Sequence, residues 1–443
     1  MILDVTVINP ARSSVQPARA VVVNGNHITA VSYSAHFQSP ARARVIDGKG
    51  QFLIPGLWDM HVHCAFGDWF PGGRDVILPL LIANGVTGAR DMGGEIPVLF
   101  AWRKQIEEGQ IFGPRMVVSG PMLDGYLPDG KSLRFPSTIA VTTPVEARAA
   151  VDSLKGQHVD FIKTQSLISR EAYFAAVEEA RKQGLPFVGH VPDKVRITEV
   201  VAAGQKSIEH LMGFFEGCTS EEDRLIKGDG DMKLLLDSQD KAKCDKLLAL
   251  LAKTQTWQVP TLVWQRSGTF LDQLDWKHQP LDRYVPAYWR DVTWRRFAEQ
   301  MMPDILHDPL KLRKEYFARN LQAVGSMHRA GVPLLAGTDT APGIYVMPVF
   351  SLHDELANFV EAGLTPMEAL QTATSKPARF LDRANLGGIE PGKLADLVLL
   401  SANPIDDIHN TRRINAVVTN GRFLDRAALD RILPQVEANT KRN

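Results

Sequence analysis

For most of its length the chain alternates short strand-like apolar runs with longer amphipathic segments, and this rhythm constrains its fold more than any other feature. Eight such runs stand in series: GLWDMHVH (56–63), GVTGARDM (85–92), RMVVSGPM (115–122), DFIKTQ (160–165), PFVGHV (186–191), SIEHL (207–211), WQVPTL (257–262) and PLLAGTD (333–339). Between them, stretches such as 171–184 and 315–331 carry apolar residues at helical spacing. Thr143-Pro144 reads as a cap residue followed by a first-turn proline, and Gly331 as a helix stop. Strands each followed by a helix build a parallel sheet, and eight close into a ring. The expected fold is therefore α/β, a (β/α)8 TIM barrel over 56–387.

The two ends read differently. Residues 1–55 and 388–430 hold short strands with Asn-Gly turn signals at Asn24-Gly25 and Asn420-Gly421. They are expected to pair into one composite β-sandwich domain, with 431–443 as a C-terminal tail. The stretch 215–300 is too long for a single connection and carries Trp257, Trp264, Trp276, Trp289 and Trp294. It predicts a helical insertion.

Fifty basic residues balance fifty acidic ones. That gives no electrostatic footprint for nucleic acid and no steering toward a charged membrane. Cys64, Cys218 and Cys244 form no Cys-x-x-Cys pair; a reduced interior suits them, and a single bridge is the open alternative. MILDVTVINP lacks a basic region followed by an apolar run, so a cytoplasmic protein without a leader is expected. No phosphate-binding or dinucleotide fingerprint is present.

The chemistry gathers at the C-terminal ends of the strand-like runs, where barrel active sites form. His61 and His63 lie two apart on the first run, Lys163 ends the fourth, His190 the fifth, His210 the sixth and Asp339 the eighth. Neutral imidazoles and a carboxylate are good ligands for first-row metals, and His-x-His can chelate one ion. An ammonium would repel a cation. Lys163 is then either neutral or converted by carbon dioxide to a carbamate.

The chain resembles the amidohydrolase superfamily through PGLWDMHVH, KTQ around Lys163, VGHVP, SIEHL, LLAGTDT and the tail EAGLTPMEALQTATSKPARFL…GGIEPGKLADLVLL. Within it, the chain looks closest to the branch of imidazolonepropionase-like enzymes and metal-dependent Xaa-Pro dipeptidases and carboxypeptidases. The resemblance implies two divalent metal ions, zinc by expectation. His61, His63 and Asp339 would hold the more buried one, and His190 and His210 the exposed one. Lys163 would be N6-carboxylysine bridging the pair. A metal-bridging hydroxide would attack the substrate, with Asp339 as general base and then acid. Two stretches depart from those peptidases: SGPMLDGYLPDG stands where many carry Gly-Gly-His-Gly, and Val191-Pro192-Asp193 follow His190 where many have Ala-His or Ala-Tyr.

The expected activity is hydrolysis of an amide C–N bond in a dipeptide or N-acyl amino acid. Alternatives on the same centre are a lactone, a cyclic amide, an ester or a deamination, and beyond them a non-catalytic, metal-stabilised barrel. Tyr126, Arg134 and Trp69 are candidate substrate contacts. Arg90-Asp91 are read as a salt bridge at the barrel rim, and Glu209 as a structural residue pointing away from the site by strand alternation. His353 is given a solvent or packing role. The expected partner is a small-molecule substrate, not a nucleic acid or membrane, and self-association stays open.

Overall fold

Strands from both ends of the chain meet in one eight-stranded sheet. They are β1 (Ile2–Asn9), β2 (Ser14–Asn24), β3 (His27–Tyr33), β4 (Ile46–Asp47) and β5 (Phe52–Pro55) from the N-terminal side. From the C-terminal side come three more strands, Leu397–Leu400, Ile414–Thr419 and Arg422–Asp425. The sheet joins the two halves where β5 pairs antiparallel with Leu397–Leu400. The two Asn-Gly turns also abut, since Asn26 Nδ2 donates to Asn420 Oδ1 at 3.3 Å. Gly421 has φ +74, and a Cβ there would stand 1.9 Å from the Gly25 carbonyl oxygen, so only glycine fits. Ile2, Val5, Val7, Leu53, Leu397 and Val418 form part of this sheet's buried cluster.

The structure is a computed structural model that describes residues 1–38, 42–276, 278–299 and 307–441. Between the end segments run β6 (Leu57–Val62), β7 (Val86–Asp91), β8 (Arg115–Val118), β9 (Met122–Asp124), β10 (Thr138–Ala140), β11 (Ile162–Thr164), β12 (Phe187–Gly189), β13 (Ser207–Glu209) and β14 (Trp257–Val259). Every pairing among them is parallel. The eighth run, 333–339, is not a regular strand. Its backbone nevertheless bonds to β14 through Leu335 N and to β6 through Asp339 N, which donates to the His61 carbonyl at 2.8 Å. Asp160 N likewise donates to Val118 O across the gap between β8 and β11. Trp58, Val117, Phe161, Val188, Trp257 and Leu335, drawn from several of these strands, share one buried cluster, as inward side chains of a barrel do.

Helices follow the strands as their patterns predict. Pro144–Gly156 starts with a capping box between Thr143 and Glu146, and Gly331 takes φ +79 after the helix Leu310–Arg329. In the 215–300 insertion, Phe214–Cys218, Glu222–Lys227, Met232–Asp237 and Lys241–Thr254 precede β14, and Leu262–Thr269 with the π-helical Trp289–Trp294 follow it. Lys277 and Gln300 of that insertion, and Arg442 and Asn443 of the expected tail, lie outside the described residues.

One expectation is corrected, and one open alternative is realised. Residues read as a tail continue the helix Arg426–Thr440, capped by the Asp425 side chain, and Asn439 Nδ2 donates to the Asp75 carbonyl of the first barrel helix. The apolar residues Leu429, Ile432 and Val436 are buried, which holds the helix down. Cys218 and Cys244 are joined in a disulfide, leaving buried Cys64 as the free thiol. The bridge removes the reduced-cysteine support for a cytoplasmic location, because such bonds persist in oxidising compartments. Among the described residues, no helix is long and apolar enough to cross a membrane.

Candidate metal centre

The six polar residues predicted at strand tips converge, and the backbone strain around them shows how. His210 and Asp339 both take φ +60, and Thr261 takes φ +49. L-residues rarely occupy that region, and strain of this kind clusters at functional sites. Each turn re-aims a side chain from the strand end toward the mouth of the ring.

His61 Nε2 lies 3.6 Å from Asp339 Oδ1, His63 Nε2 lies 3.3 Å from the same oxygen, and His210 Nε2 lies 3.9 Å from Asp339 Oδ2. Ligand atoms of His61, His210 and Asp339 all fall within 4.8 Å of one another. The His190 ring sits edge-on to His210 with centroids 4.9 Å apart. Donors about 2.0–2.2 Å from a tetrahedral ion stand roughly 3.4 Å apart, so these gaps suit shared coordination better than direct hydrogen bonds.

The second ring nitrogens make the case stronger. His61 Nδ1 meets Glu209 Oε2 at 2.9 Å, His63 Nδ1 the Gly93 carbonyl at 3.0 Å, His190 Nδ1 the Ser166 hydroxyl at 2.8 Å and His210 Nδ1 the Thr261 hydroxyl at 2.7 Å. With every Nδ1 engaged, every Nε2 is the free nitrogen. Metal-binding histidines are held in this way, the outer nitrogen fixing tautomer and ring orientation. Burial pushes His61 and His190 well below the usual imidazole range, and pushes His210 down to about 3. All three are therefore neutral near pH 7, with a lone pair to give.

Lys163 is wholly buried, and its Nζ has no hydrogen-bond partner. Desolvation, opposed by Glu209 and Asp339, pushes it down to about 8. An orphaned buried amine is costly, and one beside four imidazoles and a carboxylate fits an amine that carries a further group. The donor set thus fits divalent metal ions on three grounds: neutral imidazoles, outward-anchored rings and a lysine lacking any partner of its own.

Sequence reasoning missed the layer beneath. Glu209 does not point away: its carboxylate accepts from His61 Nδ1 and from Arg90 Nη2, which reaches both oxygens at 3.0 Å, and from the Ser207 hydroxyl at 2.6 Å. Ser207 and Glu209 occupy the inward face by regular alternation. It is His210 that reaches the site by leaving it. Arg90 is fully buried in this network rather than at the rim, and its Nε donates to Met60 O. Asp59 accepts from Thr338 N, Thr338 Oγ1 and His61 N, tying β6 to the eighth run, and burial raises it to about 7. Asp91 accepts from Cys64 N and Gly93 N, which fixes the carbonyl that holds His63. His353 is buried far from the centre between Thr411 and the Asn84 carbonyl, a packing role.

A cavity of about 1550 Å³ opens over the centre, lined by His61, His63, His190, His210 and Asp339. Trp69 and Arg134 line it too; Tyr126 does not, and stays exposed outside it.

The amidohydrolase family model matches residues 52–424. The chain belongs to the amidohydrolase family. This amidohydrolase is 26% identical to the ochratoxinase of Aspergillus niger over 414 residues, covering 80% of this chain and 71% of that protein. Its fold matches a bottromycin amidohydrolase at TM-score 0.76 and 25% identity, covering 99% of this chain and 89% of the other. A Xaa-Pro dipeptidase with bound methionine, 21% identical, matches at TM-score 0.69 over 96% and 99% of the two chains, a likeness of fold alone. The fold neighbours imply the TIM barrel, and the family makes the amidohydrolase an enzyme acting on carbon–nitrogen bonds.

Proposed function

We propose that this amidohydrolase hydrolyses an amide bond in a dipeptide or N-acyl amino acid with the help of two divalent metal ions, zinc by expectation. The observation that carries the reading is the orientation of four imidazoles, each anchored at Nδ1 and free at Nε2, three of them within 4 Å of Asp339. His61, His63 and Asp339 would hold the more buried ion, and His190 and His210 the outer one. Lys163, as N6-carboxylysine, would lie between them. Its neutral amine would form an N–C bond to carbon dioxide and lose a proton to solvent, so the side chain would end in a carbamate whose two oxygens share the negative charge.

Bound divalent ions supply Lewis acidity, which lowers the pKa of water and polarises a carbonyl. The chain supplies the rest. Asp339, at the edge of the cavity, takes a proton from the attacking water and hands it to the leaving nitrogen, which departs as a neutral amine. Glu209, clamped by Arg90, holds the His61 ring at the tautomer that leaves Nε2 free. Arg134 at the cavity wall, whose charge also acts on Asp124 and Asp193, offers a site for a substrate carboxylate.

A panel of dipeptides, N-acyl amino acids, lactones, cyclic amides and aryl esters tests this. Amide cleavage should dominate, disappear on chelation and return with added divalent metal. Faster turnover of a lactone or ester than of any amide, or full activity after exhaustive chelation, would overturn it.

A further inference from the structure

Beside the metal centre the cavity wall is built from aromatic rings in sequence. The His63 ring lies 4.6 Å from Phe66, Phe66 lies 5.8 Å from Trp69, Trp69 lies 5.8 Å from Phe135, and both Trp69 and Phe135 contact Phe297, at 6.0 and 6.4 Å. These spacings are those of edge-to-face aromatic pairs. Phe66 and Phe297 are buried, whereas Trp69 and Phe135 are only half-buried, and all four line the cavity. The shelf thus has a packed back and an open front.

It is also fixed in place. Thr293 Oγ1 donates to the Trp69 carbonyl at 2.6 Å, and Trp289 Nε1 donates to the Pro71 carbonyl at 2.9 Å, so the insertion clamps the loop after β6 from behind. Gly67 brings that loop against the loop of Phe135: a Cβ there would stand 3.0 Å from Pro136 Cβ. Rings that face the interior, such as Trp289 and Trp294, are wholly buried. Trp69 and Phe135 instead keep surface facing a space larger than the roughly 300–1,000 Å³ that drug-sized ligands usually occupy.

We propose that Phe66, Trp69, Phe135 and Phe297 form a subsite for an aromatic ring, so that the substrate is an amide carrying an aryl group on the portion held beside His63. The inference rests on the amide-hydrolysis reading for the reaction, and on the shelf alone for the ring. A third ring continues the ladder edge-to-face against Trp69 and Phe135, replacing water on two half-buried apolar surfaces. The clamped loop means that little ordering is needed on binding.

Calorimetric titration of the isolated full chain with 3-phenylpropanoate and with hexanoate tests the subsite without turnover, because the two share a carboxylate and differ in the ring. The expected result is about 10-fold tighter binding of the aryl compound, as one well-placed aromatic contact provides. Trp69→Leu and Phe135→Leu should each bring the ratio to within roughly 2-fold of unity, with the melting temperature checked to show that the fold persists. No preference in the wild-type chain, or a preference that survives both substitutions, would overturn the proposal. If the aryl preference holds while no amide is cleaved, the reaction assignment fails and the subsite stands. If amides are cleaved with equal kcat/KM for aryl and alkyl substrates, the subsite fails and the reaction stands.

Discussion

Glu209 Oε2 receives the Nδ1 proton of His61 at 2.9 Å while Arg90 grips both oxygens of the same carboxylate. All three side chains are buried. The guanidinium keeps the carboxylate an acceptor, so His61 must donate from Nδ1 and present its lone pair at Nε2. The pair converts a buried charge network into the orientation of one metal ligand.

Glu209→Gln should therefore lower activity or metal retention by about 10–100-fold, the usual cost of losing such an outer partner. It should also lower the melting temperature, because breaking a buried ion pair costs about 3–5 kcal/mol by leaving Arg90 uncompensated. Steady-state rates, metal content and thermal unfolding check both effects. A variant with unchanged rate and metal content would show that His61 is oriented by something else.

The lone nitrogen of Lys163 gives a second expectation. Lys163→Ala should abolish activity, and a short carboxylic acid added in excess should restore part of it by occupying the space of the lost carbamate. Wild-type rates in the variant would remove the bridging role.

Acid sensitivity has a predictable component at His353, far from the centre. Burial holds its folded pKa down to about 3, against an ordinary value of 6.5. Between those values the unfolded chain binds more protons than the folded one, so stability is full above about pH 6.5 and falls as the pH drops, by up to about 1.4 kcal/mol per pH unit. Urea unfolding at pH 7.5 and 5.0 should show a smaller acid loss in His353→Gln than in the wild-type chain. Equal losses in the two would contradict the assignment.

The Cys218–Cys244 bridge spans 26 residues and ties helix Phe214–Cys218 to helix Lys241–Thr254. Thiol titration of the unfolded protein should find one reactive cysteine before reduction and three after. Cys244→Ser should cost about 3 kcal/mol, the entropy of closing a loop of that order. Three thiols without reduction would contradict the bridge.

The proposed ligand set, His61, His63, Lys163, His190, His210 and Asp339, was gathered from the place of each residue at the end of a strand-like run, since such ends share one face of an α/β barrel. Glu209 was misread because alternation was carried one residue past the end of β13. There His210 turns to φ +60, and consecutive residues both face the site. The direction of Tyr126 was not readable, because a loop's side chains have no periodicity; it is exposed and does not line the cavity. Thr261, Ser166 and Gly93 anchor rings through a hydroxyl or a carbonyl, groups too common in sequence to signal a role. The C-terminal helix was not predicted; it holds Pro434 in its interior, a residue that usually argues against helix. Which two cysteines would pair was not readable for another reason: residues 218 and 244 become neighbours only once the insertion folds.

Metal content by elemental analysis of purified, active protein, repeated on His61→Ala and His210→Ala, tests the central claim most directly. The account predicts about two divalent ions per wild-type chain, as two-metal hydrolase sites hold, with content and activity falling together in both variants. Active protein with near-zero metal, or variants that keep both ions and full rate, would contradict it.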